Sequence, residues 1–87
     1  MYVVANAAAR SITVNWSWQS FDHWGFPITP TGFTIERELG AEDWELLSFS
    51  IPPAGRSYID VLDQETALAV FGAGLHLAYR VKAYLIV

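Results

Sequence analysis

Cysteine is absent from this 87-residue chain, which removes disulfide staples and thiolate metal sites together. Charge is scarce as well: 16% of residues are charged, and Lys and Arg number five in total. Nucleic-acid binding needs a basic patch that neutralises phosphates. A net charge of -4 with so few cations argues against that, and equally against an anionic membrane surface. No apolar run approaches the roughly 20 residues that span a bilayer, so membrane insertion is not expected. The opening MYVVANAAARS has no basic n-region ahead of its apolar stretch and does not read as a secretory signal. The chain is therefore expected to assemble inside the cell that makes it, or to have lost a signal.

What the chain does have is material for a core. Hydrophobic residues make up 53% and aromatics 15%, with four Trp and five Phe. This composition suits one small folded domain over residues 1–87, stabilised modestly by its own burial. The aromatics must supply much of that burial.

The dominant pattern is alternation with a period of two, the mark of half-buried strands. In SITVNWSW, Ile12, Val14, Trp16 and Trp18 share one face, while Ser11, Thr13, Asn15 and Ser17 share the other. Tyr2 to Ala5 reads as a short strand before it. Residues 19–31 hold Gly25, Pro27 and Pro30 and read as a loop. From Gly32 to Leu39, Phe33 and Ile35 point one way and Thr34, Glu36 and Glu38 the other. Glu38 to Glu42 reads as a hairpin turn into a strand over Trp44 to Ile51, which Pro52, Pro53 and Gly55 end. Ser57 to Leu62 is a fifth strand. Asp63 can cap a short helical turn over Gln64 to Phe71, with Gly72 and Gly74 suited to its end. The last stretch, LHLAYRVKAYLIV, alternates Leu77, Tyr79, Val81, Ala83, Leu85 and Val87 against the intervening residues. About six short strands at regular spacing, with one helical turn before the last, predict an all-β antiparallel sandwich.

Several of these segments resemble a fibronectin type III domain. SITVNW, with Trp16, resembles the second strand of that family. Ile28 to Arg37 resembles the third, with its G-Y-x-I-x-R pattern. Arg56-Ser-Tyr-Ile-Asp60 resembles T-S-Y-x-D, and Ala78 to Tyr84 resembles Y-R-V-x-A-Y. The resemblance covers about residues 11–84. It implies that the third and sixth strands are antiparallel neighbours, with Glu36 and Glu38 across from Arg80 and Lys82. Three departures stand out. Leu77 occupies the place of the family's corner tyrosine, the first strand lacks a proline-led start, and no seventh strand follows.

Chemistry is thinly represented. His23 and His76 are the only histidines, and no nucleophile, base and orienting group fall at a spacing that suggests convergence. The chain reads as non-enzymatic and without a cofactor. Asp22 and His23 are too few for a closed metal site. Asp60, Asp63 and Glu65 are expected to cap the helix and solvate a turn rather than hold calcium. The aromatic loop Phe21-Asp-His-Trp-Gly-Phe26 is expected to fold back as a plug on the end of the sandwich. The other reading makes Trp24 and Phe26 a recognition surface, on which a sugar ring could stack.

The last strand, 76–87, carries the leading expectation. A long apolar strand without a neighbour is a pairing site or an aggregation hazard, and Lys82 is its only guard. A neighbouring chain, the chain's own Tyr2 to Ala5, or a further part of a longer protein could cover it. The first is favoured: a protein partner or homo-oligomer joined through this edge, with Arg80, Lys82, Tyr84 and Ile86 as contact residues. The expected function is a structural interaction module, such as a phage capsid decoration or tail accessory protein built in the host cytoplasm. The alternative is an accessory or adhesion module of a secreted or cell-surface protein, binding a protein or glycan.

Overall fold

The computed structural model describes residues 1–41 and 43–86. Six strands form among the described residues: β1 (Tyr2–Asn6), β2 (Ser11–Asn15), β3 (Gly32–Leu39), β4 (Glu45–Ile51), β5 (Ser57–Val61) and β6 (Leu77–Tyr84). They make two antiparallel three-stranded sheets, in the orders β1-β2-β5 and β4-β3-β6. The architecture is all-β and sandwich-like, as the strand pattern predicts.

Alternation decides what lies between the sheets. Ile12 and Val14 from β2 face Phe33 and Ile35 from β3, and Trp16, Ile51, Leu62, Ala67 and Tyr79 complete the buried cluster. Phe33 sits at its centre, edge-on to Trp16 at 5.7 Å and to Trp18 at 6.1 Å between ring centroids. Trp18 lies beyond the end of β2, and its ring is only partly covered.

The β3–β4 connection spans residues 40–44, and its bend places Gly40 and Ala41 both at φ of 64°. This is the left-handed region, which favours residues without a Cβ. Glycine meets this freely, whereas alanine pays about 1 kcal/mol in Cβ crowding. Ala41→Gly is therefore expected to raise stability by about 0.5 kcal/mol, net of the extra freedom gained by the unfolded chain. A higher urea midpoint at unchanged slope is the readout.

Asp63 caps the helix as its sequence position suggests, its carboxylate accepting from the Thr66 N–H at 2.7 Å. The helical stretch runs from Gln64 to Gly72, one residue past the expected Phe71. Helix α1 covers Gln64–Ala67, then widens into a π-helical turn over Leu68–Gly72. Gly74, at φ of 71°, lets the Leu75 N–H reach back to the Ala69 carbonyl at 2.9 Å and end the turn.

The body is elongated, 49 × 24 × 18 Å with a radius of gyration of 15.0 Å. A compact chain of this length has a radius of about 12 Å. Its accessible surface is 5864 Å², whereas a compact monomer of this size exposes about 5,100 Å².

Candidate functional site

One flank of the sandwich, between β1 and β6, is open. β1 pairs with β2, Val3 opposite Val14 and Ala5 opposite Ile12. Val3 and Ala5 thus share the inward face of the sheet. Val3 is nevertheless 51% exposed, because an open groove separates it from Leu77 to Tyr79 of β6. The pairing of β1 with β2 also overturns one explanation for the bare last strand: Tyr2 to Ala5 does not cross to the other sheet. Its side chains match β2 in register, and β2 claims it.

On the other sheet, β6 pairs with β3 in an unbroken register from Gly32 opposite Tyr84 to Leu39 opposite Leu77. The strand is shorter than the alternating stretch 76–87: Leu85 and Ile86 lie beyond it and are exposed, and Val87 falls outside the described residues. Two hydrogen bonds set the phase of β6. The N–H of Gly40 donates to the His76 carbonyl and that of Thr31 to the Tyr84 carbonyl, both at 2.8 Å. N–H and C=O of one strand residue point to the same side, so even-numbered residues of β6 address β3. Leu77, Tyr79, Val81 and Ala83 turn their backbone groups to the outer edge, where no strand among the described residues meets them. The opposite edge of this sheet differs, since β4 carries register shifts against β3 at Phe33/Ile35 and Ile35/Glu36. Such irregularity blunts an edge.

Two grooves of 310 Å³ each run along the inner side of β6. One is bounded by Met1, Tyr2, Val3 and Ile12 against Leu77 to Tyr79. The other is bounded by Met1, Trp16, Trp18 and Phe33 against Tyr79 to Ala83. The Trp16 indole N–H is buried and has no acceptor among the described residues.

Of the residues expected to make contacts, Arg80 and Lys82 are drawn into an internal charge cluster. Arg80 donates twice to the Glu36 carboxylate, at 2.9 and 3.1 Å, and its guanidinium lies 4.3 Å from the centre of the Trp44 ring. Lys82 reaches Glu36 at 3.2 Å. Glu38 meets His76, at 3.2 Å, rather than a cation of β6. Hydrogen bonding from Arg80, helped by Lys82, holds the Glu36 pKa at about 2 against an ordinary 4.5. Between these values the unfolded chain takes up a proton that the folded chain refuses. Stability is thus fully present above about pH 4.5 and falls as pH drops toward 2. Urea midpoints measured across this range should decline with acid, and Glu36→Gln should flatten the slope. Tyr84 is half-buried at the end of β6, and Ile86 is 73% exposed.

The aromatic loop is not a plug. Trp24 is 72%, Phe26 67% and Phe21 50% exposed. The loop stays out because its own backbone is satisfied locally. The Asp22 carboxylate accepts from the N–H groups of Trp24 at 2.9 Å and Phe26 at 3.1 Å. The Asp22 N–H donates to the Phe26 carbonyl at 2.9 Å, and Gly25 at φ of 86° makes the bend. The His23 ring stacks on Trp24 at 3.6 Å.

A polar clasp not foreseen in the sequence joins the two sheets. Asp60, 6% exposed, accepts from Arg37 at 2.8 Å and from the Tyr79 hydroxyl at 2.6 Å. Arg37 also donates through Nε to Glu45 at 2.9 Å. Burial, reinforced by the bond to Asp60, pushes the Tyr79 pKa well above the usual tyrosine range, so the hydroxyl stays protonated and donates. With every member partnered, the clasp ties the two sheets together. Among the described residues, no group of three His, Asp or Glu residues is placed to hold a metal, and no helix is long and apolar enough to cross a membrane.

The features define an all-β sandwich-like domain with one open flank and one exposed aromatic loop. No family model matches the chain, and no curated protein or solved structure matches it either.

Proposed function

We propose that this chain is a non-enzymatic interaction module of the fibronectin type III kind that completes its sandwich with a β-strand from another polypeptide. The observation that carries this is Val3: an inward-facing residue of β1, half exposed, beside the unpaired edge of β6. An added strand would pair with the outward N–H and C=O groups of Leu77, Tyr79, Val81 and Ala83, and drop its alternate side chains into the two grooves. The absence of cysteine suits assembly in a reducing cytoplasm, and a virion component such as a capsid decoration or tail accessory protein is the proposed setting.

Amide exchange tests the reading. The four outward amides of β6 should be slow in concentrated protein, or on adding a synthetic peptide of alternating Val and Thr, and fast in dilute protein alone. Fast exchange under all three conditions would remove the reading.

A second reading rests on the loop. Its exposed Trp24 and Phe26 suit an accessory or adhesion module that binds a protein or glycan. Screening wild type and Trp24→Ala against immobilised glycans decides it: binding that is lost without a change in melting temperature favours this reading, and no binding by wild type removes its glycan form.

A further inference from the structure

We infer that the strand filling the open flank is the β6 of a second copy of this chain, antiparallel to the first, with the two Tyr79 residues meeting on a two-fold axis. The inference rests on the strand-completion reading above and names its occupant.

Charge selects the register. Antiparallel self-pairing must match the outward residues Leu77, Tyr79, Val81 and Ala83 of one copy with those of the other. A pairing centred on Arg80 sets Arg80 against its own copy. A pairing centred on Val81 sets Arg80 against Lys82 of the second copy. Glu36 already serves both cations of its own chain, so it is not free to offset such repulsion, and like charges directly opposite are destabilising. Centring on Tyr79 places Arg80 opposite Ala78 and Lys82 opposite His76 of the second copy. It is the longest overlap that keeps cations apart.

The same register fits the grooves. Tyr79 borders both of them. With Tyr79 on the axis, Val81 of the second copy lies beside Leu77 in the first groove, and Leu77 of the second copy lies beside Val81 in the other. Both are apolar and on the inward face. The symmetry is isologous, so the assembly closes at two copies instead of growing into a fibre.

The chain has no cysteine, so introduced pairs report register without interference. In the Tyr79-centred dimer, positions 76 and 82 of opposite copies form a closely spaced pair of the kind disulfides bridge. The expected result is a doubled mass by light scattering and efficient oxidation of the double variant His76→Cys/Lys82→Cys to a covalent dimer. Ala78→Lys, which gains Glu38 opposite it within its own chain, should keep its melting temperature yet weaken the dimer roughly tenfold, through two new contacts with Arg80. A dimer that oxidises instead through Ala78→Cys/Lys82→Cys would overturn the register. A wild-type monomer at all concentrations, with β6 edge amides protected only by the added peptide, would overturn the second copy and leave the strand-completion reading standing. A monomer with unprotected edge amides even then would remove both.

Discussion

Asp60→Ala should lower the melting temperature by roughly 12–24 °C, equivalent to about 3 kcal/mol for a domain of this size. Asp60 is the only described acceptor shared by a residue of each strand that forms the β3–β6 ladder. Removing it leaves the Tyr79 hydroxyl buried without an acceptor, and leaves Arg37, whose side chain is 16% exposed, with Glu45 alone. The loss comes mostly from stranding those groups, since a well-made buried pair adds little net energy. Asp60→Asn, which keeps an acceptor for Tyr79, should cost less. Tyr79→Phe should cost about 1 kcal/mol and should combine with Asp60→Ala less than additively, because both remove one bond. Thermal unfolding of the three variants and the double variant checks this. A shift of only a few degrees in Asp60→Ala would mean that the clasp does not hold the sheets.

Phe33→Ala should cost still more, about 3–5 kcal/mol. Phe33 is 1% exposed, meets Trp16 and Trp18 edge-on, and carries the Arg56 guanidinium 5.1 Å above its ring. The cavity left behind cannot collapse readily, because the Trp16 indole on its wall is itself buried in the core. Domains of this size hold roughly 4–13 kcal/mol in total, and the short list of fully buried side chains places this one toward the lower end. Phe33→Ala should therefore lose near-ultraviolet dichroism at room temperature, while Phe33→Leu keeps a cooperative transition. A folded Phe33→Ala with a midpoint close to wild type would show that the core lies elsewhere.

The strands were legible because alternation with a period of two survives folding almost residue for residue. Phe33 and Ile35, or Ile12 and Val14, could sit nowhere but between the sheets. The charged row of Glu36 with Arg80 and Lys82 was legible too, once β3 and β6 were taken as neighbours. The clasp was missed although its signal was present. Arg37 is in phase with Phe33 and Ile35, Asp60 with Tyr58, and Tyr79 with Leu77 and Val81, so three polar side chains shared the inward phase. Asp60 was instead grouped with Asp63 and Glu65 by proximity along the chain, and proximity is a poor guide where a strand ends and a helix begins. The loop was misjudged for another reason. Three aromatics suggest burial, but Asp22 satisfies the backbone of the bend so well that the loop needs no support from the core. The π-helical widening at Leu68–Gly72 carries no sequence signal of its own.

The elongation of the molecule bears on how its assembly is read. A particle 49 Å long and 18 Å across its thinnest axis drags more water than a sphere of equal mass. It elutes from a sizing column earlier than a sphere of equal mass. Its rotation is also anisotropic, so relaxation of an amide depends on the angle its bond makes with the long axis. Elution volume alone would therefore overstate the mass of a single chain, whereas scattered intensity, which follows mass, would not.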